Sequence, residues 1–96
     1  MSKPQAIVMK PSDNVATATQ EIIAGTNVMV NIDGSVVGIH VTEPIPFGHK
    51  FAIRNISAGE KIIKYGEVIG EATMNIDPGQ HTHVHNFGGC RGRGDL

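Results

Sequence analysis

The chain has 96 residues, enough for one small domain, and 40% hydrophobic with 18% charged residues is typical of a folded globular protein. The net charge of −1 gives no electrostatic footprint for nucleic acid or an anionic membrane. The single cysteine, Cys90, excludes an intramolecular disulfide and fits a reducing compartment. The first residues contain no apolar region of signal-peptide length. The longest apolar runs of the chain are far shorter than the ~20 residues that a membrane helix needs. These features predict a cytoplasmic protein with no nucleic-acid partner and no membrane partner.

Alternating short segments separated by turn residues predict strands along most of the chain. In chain order they cover 5–9, 27–32, 35–41, 50–54, 61–64, 67–74 and 81–86. One segment, residues 13–24, favours a short helix instead. Ser12 or Asp13 can cap it, and apolar or small side chains follow at helical spacing from Val15 to Ile23, until Gly25 ends it.

A short unit recurs four times: an isoleucine, two further residues, a glycine, and then an alternating segment. The four copies begin at Ile22, Ile45, Ile56 and Ile76. Each predicts a tight turn with positive φ at its glycine, followed by a strand. Asp77-Pro78-Gly79-Gln80 is the clearest copy, with Pro and Gly at the central positions of a type II turn.

Two further reversals, at Asp33-Gly34 and Tyr65-Gly66, predict hairpins between neighbouring strands. The fold class is therefore mainly β: a compact domain of short strands, of barrel or sandwich type, with one short helix. The domain covers residues 1–87, and residues 88–96 form a tail rich in glycine and arginine.

Three histidines alternate in the segment His81-Thr82-His83-Val84-His85-Asn86. On a strand, alternate side chains share one face about 6.5–7 Å apart, so two imidazoles can converge on one metal ion, and a third if the strand bends. The alternative is an exposed polar face of an edge strand with no ligand. We predict a metal site formed by His81, His83 and His85, and imidazole suits several transition metals.

Two other sets of residues can carry chemistry. His49 and Lys50, beside Gly48, could provide a proton shuttle and a carboxylate anchor, although a solvated turn has the same composition. Arg91 and Arg93 in the tail could clamp a carboxylate or a partner surface, or belong to a disordered end. We predict His49 and Lys50 as catalytic residues and the two arginines as substrate-binding residues.

Taken as an ordered set, these motifs resemble the SAF-type amino-terminal domain of the altronate and galactarate dehydratase family. The resemblance covers nearly the whole chain, and its residues are Asp13–Ala16, Ala24-Gly25, Pro46–Ile53, Ile56–Gly59, Ile63–Gly66, Val68–Gly70, Pro78-Gly79 and His81–Asn86. It implies a β-clip fold and a role in a hydro-lyase whose larger catalytic part is either fused to this domain or encoded separately.

The implied function is that of a small subunit of a sugar-acid dehydratase, active with a large catalytic subunit on a small sugar-acid substrate. Removing the proton beside a carboxylate is difficult, and a divalent ion can polarise the carboxylate and stabilise the enediolate. We therefore expect a divalent metal, with Fe2+ favoured over Zn2+ and Mn2+. In this interpretation, the histidines and Lys50 close one wall of a site whose other wall belongs to the large subunit. The isolated chain could form a homo-oligomer.

Three alternatives stay open. The chain resembles the small subunit of sulfolactate sulfo-lyase, in which sulfite rather than hydroxide leaves. SAF-type domains also occur in proteins of unrelated function, so a non-catalytic module that binds a metal or another ligand is the second alternative. A cupin is the third, because Pro-Gly before His-x-His is typical of that family, but the glutamate expected after the histidines is replaced by Asn86-Phe87-Gly88-Gly89.

Overall fold

The computed structural model describes residues 5–83 and 85–88. Within these ranges the chain forms nine short strands and no helix, which confirms the mainly β prediction. The strands are β1 Ala6–Ile7, β2 Val15–Ala18, β3 Asn27–Ile32, β4 Ser35–His40, β5 Lys50–Ala52, β6 Lys61–Lys64, β7 Glu67–Ala72, β8 His81–Thr82 and β9 Phe87–Gly88. No helix in this part of the chain is long and apolar enough to cross a membrane.

The strands form three antiparallel units. A four-stranded sheet has the order β1-β2-β5-β8, β3 and β4 form a two-stranded hairpin, and β6-β7-β9 form a three-stranded sheet. The two hairpin predictions are confirmed, because Asp33-Gly34 and Tyr65-Gly66 all have positive φ, as a two-residue type I′ turn requires.

The predicted helix at residues 13–24 is wrong. Val15–Ala18 form strand β2, which lies between β1 and β5 in the four-stranded sheet. Val15 packs into one apolar cluster and Ala16 and Ala18 into the other, so both faces of β2 are covered. A strand buried on both faces lacks the alternation of polar and apolar residues that identifies a strand in a sequence.

Asp13 does not cap a helix. Its buried carboxylate accepts hydrogen bonds from the backbone amides of Met9 and Lys10, both at 3.2 Å, and from that of Gly66 at 2.8 Å. Asn14 continues this contact, since its side chain bonds the backbone of Lys61 and Ile63. The two residues therefore fasten the β6–β7 hairpin to the start of β2.

The four glycine turns are confirmed and explain how the chain is organised. The glycines have φ between 83° and 90°, and the buried isoleucines that precede them pair as Ile22 with Ile45 and Ile56 with Ile76. The two isoleucine pairs occupy corresponding positions beside their hairpins. Gly25 N–H donates to Val41 and Gly59 N–H to Ala72, at 2.7 and 2.8 Å, so each pair of turns flanks one hairpin.

Two apolar clusters lie on either side of the four-stranded sheet. The larger contains Phe51 with residues of β2, β3 and β4, and the smaller contains Ala52, Ile56, Ile62 and Ile76, with the partly buried Phe87 packed against it. Alternation along β5 places Phe51 in the larger cluster and Ala52 in the smaller one, and Lys50 shares the face of Ala52.

Candidate functional site

His49 meets two imidazoles that are far from it in sequence, those of His81 and His83, at the end of the four-stranded sheet. His49 follows the Gly48 turn directly, and β8 pairs with β5 so that His81 lies opposite Phe51. The His49 and His83 ring centroids are 4.5 Å apart, those of His49 and His81 5.1 Å, and those of His81 and His83 5.4 Å. All three side chains are partly buried. We call His49, His81 and His83 the imidazole cluster.

His85 lies beside His81. Its ring centroid is 5.3 Å from that of His81 and tilted by 36°, and its side chain is exposed. The predicted strand over 81–86 is wrong at residues 83, 85 and 86, because strand β8 ends at Thr82 and Asn86 lies in a turn, whereas Val84 lies outside the described residues. The histidines therefore do not share one face of a straight strand, and the bend brings His83 against His49.

Asn86 holds this bend. It is buried, its side-chain amide donates to the His81 carbonyl at 2.8 Å, and its side-chain oxygen accepts from the His83 amide at 2.9 Å. Its own backbone amide donates to the His83 carbonyl at 2.9 Å. We call residues 81–86 the histidine turn. Sequence reasoning noted Asn86 only as the residue after the histidines, and no local signal shows that it is buried.

Phe87 anchors the far end of the histidine turn. Strand β9 pairs with β7, so the turn is fixed to β5 at one end and to β7 at the other. The Phe87 ring lies over Gly70, where a Cβ atom would be 2.7 Å from the ring and 2.4 Å from the Gly88 carbonyl oxygen. Only glycine at position 70 leaves room for this contact.

The electrostatics of the cluster favour neutral imidazoles. Partial burial lowers the pKa of His81 below its usual range, and the neighbouring His49, His85 and His83 lower it further, whereas Glu43 opposes the shift. The pKa of His83 is lowered by partial desolvation and then by the charges of His49, Lys50 and His85. Neutral imidazole is the form that binds metal ions.

His49 and His81 also share a hydrogen bond, with Nδ1 of His49 2.9 Å from Nε2 of His81. Such a contact needs one N–H and one lone pair, so the pair cannot keep it with both rings fully protonated. The contact can therefore pass a proton between the two residues.

In the part of the chain that the structure describes, two sets of donor atoms could hold a metal ion. In the first, His49, His81 and His83 each offer a ring nitrogen, and these atoms lie within 4.8 Å of one another. In the second, Glu43 joins His81 and His85 within the same limit. Bonds of ~2.1 Å from one ion can reach three donors so spaced. Of the predicted ligands, His81 belongs to both sets, His83 to the first and His85 to the second. The metal site itself stays a prediction.

Lys50 lies beside the cluster rather than in it. Its Nζ atom is 5.4 Å from the centroid of the Phe87 ring, and its pKa is lowered by burial and by the charge of Lys64. Its charge reaches His83, whose pKa it lowers. The catalytic roles predicted for His49 and Lys50 stay predictions. Arg91, Arg93 and most of the predicted tail over 88–96 lie outside the described residues.

Comparison with known proteins gives the family. Residues 4–89 match the altronate/galactarate dehydratase SAF domain. The chain belongs to this family. The SAF domain is 39% identical over 82 residues to altronate dehydratase of Escherichia coli K12, which covers 85% of this chain and 16% of that protein. It is 38% identical over 58 residues to the (2R)-sulfolactate sulfo-lyase subunit alpha of Paracoccus pantotrophus, covering 60% of this chain and 87% of that subunit.

Over a shorter stretch of 42 residues, the SAF domain is 50% identical to galactarate dehydratase (L-threo-forming) of Escherichia coli K12, of which it covers 8%. The chain thus spans about one sixth or less of the dehydratases that it matches, but most of one sulfo-lyase subunit. This is consistent with a domain that belongs to a larger protein or complex.

Proposed function

We propose that this SAF domain is the small subunit, or a domain, of a sugar-acid dehydratase of the altronate/galactarate type, and that it contributes part of the active site to a larger catalytic subunit. The observation that carries the proposal is the imidazole cluster. Three imidazoles, two of them with a lowered pKa (His81 and His83), are gathered at one end of a domain that matches only a small share of each related dehydratase. A domain of this size has little interior for a polyhydroxy acid, so the rest of the substrate's contacts come from the partner.

In the proposed reaction, the residues of this chain handle protons and charge. His49 takes or returns a proton and can exchange it with His81 through their 2.9 Å contact. Lys50 supplies a positive charge beside His83 that attracts the substrate carboxylate. Arg91 and Arg93 are proposed to bind the same anionic substrate.

The donor sets around His81 fit a divalent ion, because each offers three suitable ligand atoms within 4.8 Å. We favour Fe2+ over Zn2+ and Mn2+. When bound, the ion would supply Lewis-acid chemistry towards the substrate carboxylate and the leaving hydroxyl. A cytoplasmic location and self-association of the isolated chain belong to the same proposal.

The experiment that tests this function is purification of the tagged chain from its native extract, followed by assays on the material obtained. We expect a stoichiometric partner of several hundred residues, and water loss from an aldonate or aldarate to give a 2-keto acid. Recovery of the chain alone, with metal or sugar acid bound but no turnover, would favour the non-catalytic module instead.

A second candidate function is supported by one observation. The matched region covers 87% of one sulfo-lyase subunit alpha, whereas it covers 16% of altronate dehydratase. The same purified material separates the two candidates, because elimination from sulfolactate releases sulfite whereas dehydration does not. Sulfite release without 2-keto acid formation from aldonates or aldarates would replace the first candidate by the second.

A further inference from the structure

Glu43 is an acidic residue that the fold brings close to His81, and none of the sequence motifs includes it. It lies between β4 and the turn that begins at Ile45, and its side chain is partly buried. One of its carboxylate oxygens lies within 4.8 Å of ligand nitrogens of both His81 and His85.

The segment that carries Glu43 is docked on the turn before β8. The Thr42 amide donates to the Gly79 carbonyl at 3.0 Å, and a Cβ atom at Gly79 would lie 1.9 Å from the His40 carbonyl oxygen. This close backbone contact fixes the distance between Glu43 and His81, because His81 follows the same turn by two residues.

Gln80 orients the carboxylate. Its side-chain amide donates to Glu43 Oε2 at 3.4 Å, and its side-chain oxygen accepts from the Asp77 amide at 2.6 Å. The Glu43 carboxylate is therefore held from within the turn, in the way that outer-shell hydrogen bonds orient the ligands of metal sites.

We propose that Glu43, His81 and His85 form a two-histidine, one-carboxylate site for a divalent cation such as Fe2+ or Mn2+, distinct from the three-imidazole set. This inference rests on the proposed function and deepens it by naming the ligands. Two histidines and one carboxylate suit Fe2+ with open coordination positions, and catalytic zinc sites use the same ligands as well as three histidines.

The chemistry of His81 is compatible with this assignment. Its Nε2 atom contacts His49, so the proposal assigns Nδ1 to the ion and makes His49 the outer-shell partner. His85 is exposed, so the open positions of the ion face the surface, where the carboxylate and hydroxyl of a hydroxy acid can bind together.

The test uses Mn2+ alone as the probe and the full chain as the protein. Free Mn2+ is counted by its electron paramagnetic resonance signal during titration, and calorimetry gives the stoichiometry. We expect Glu43→Gln and His85→Asn to weaken Mn2+ binding at least about tenfold, because even the loss of an outer-shell partner typically costs that much affinity. His83→Asn, which removes a ligand of the other set only, and Glu21→Gln, at an exposed carboxylate, should change the affinity less than about threefold.

Unchanged Mn2+ affinity in Glu43→Gln, or an equal loss in His83→Asn, would overturn the proposed site. The result is independent of the enzyme assay. If the complex dehydrates sugar acids but the Glu43→Gln variant binds Mn2+ normally, the proposed metal site is wrong and the proposed function stands. If Mn2+ binding depends on Glu43 but the complex eliminates neither water nor sulfite, the proposed metal site stands and the proposed function is wrong.

Discussion

Asn86 and His83 are joined by two reciprocal hydrogen bonds, from the His83 amide to Asn86 Oδ1 and from the Asn86 amide to the His83 carbonyl, both 2.9 Å long. A third bond ties the Asn86 side chain to the His81 carbonyl. The buried side chain of Asn86 thus fixes the backbone of His81 and His83, two residues of the imidazole cluster. This makes the geometry of the site sensitive to a residue that carries no proton-transfer or metal chemistry itself.

Asn86→Ala should lower the free energy of unfolding by about 2–4 kcal/mol. It leaves the His83 amide and the His81 carbonyl without their side-chain partner, and each unsatisfied buried group costs about 1–3 kcal/mol. Urea denaturation measures the change. Asn75→Ala is the matched control, because Asn75 is exposed and accepts from Ala58, and it should cost about 1 kcal/mol or less. Equal costs for the two variants would show that Asn86 has no special role.

Gly79→Ala should destabilise the domain far more than Gly59→Ala. Both glycines have φ near 90°, which costs an L-residue about 1–2 kcal/mol, but only Gly79 would place its Cβ against a backbone oxygen. Thermal and urea unfolding of both variants should give about 1–2 kcal/mol for Gly59→Ala, and at least about 2 kcal/mol more for Gly79→Ala. Similar losses would mean that the segment 40–43 does not lie against this turn.

The free energy of unfolding should rise between about pH 5 and pH 7. The pKa values of His81 and His83 are lowered in the folded state, whereas an unfolded histidine titrates near pH ~6.5. Below that pH the unfolded chain binds more protons, so stability falls on acidification until the folded pKa values are passed.

Other groups also titrate in this range, so variants are needed to assign the effect. In His81→Gln the rise between pH 5 and pH 7 should become smaller. Asn75→Ala, which changes an exposed side chain that does not titrate, should keep the full rise. If the free energy of unfolding depends on pH identically in His81→Gln and in the unchanged protein, His81 does not contribute to the rise.

The sequence predicts those parts of the fold that local chemistry determines. Asp33-Gly34, Tyr65-Gly66 and the four glycine turns need positive φ, and the residues that allow it are visible in the chain. Strand β2 was not predictable in this way, because Val15 and Ala16 are buried on opposite faces by segments distant in sequence. Its apolar and small residues lack alternation, so their spacing also fits a helix.

The candidate site was predictable in composition and not in geometry. His49 and the three later histidines stand out in the chain, but the β5–β8 pairing decides that His49 meets His81. The bend after Thr82 depends on the burial of Asn86, and Glu43 joins the site only because its segment docks on the turn at Gly79. Each of these features depends on tertiary packing, which local sequence patterns do not show.

The most direct measurement is turnover of the assembled enzyme, purified with its partner, when the small chain carries His83→Ala. Dehydration should fall at least about tenfold while the complex assembles normally, because the His83 ring stacks on His49, the residue proposed to transfer the proton, and acid–base groups contribute about 10²–10⁴-fold. His40→Ala, at a histidine outside the cluster, should leave turnover unchanged. Full turnover in an intact His83→Ala complex would contradict the claim that this domain forms part of the active site.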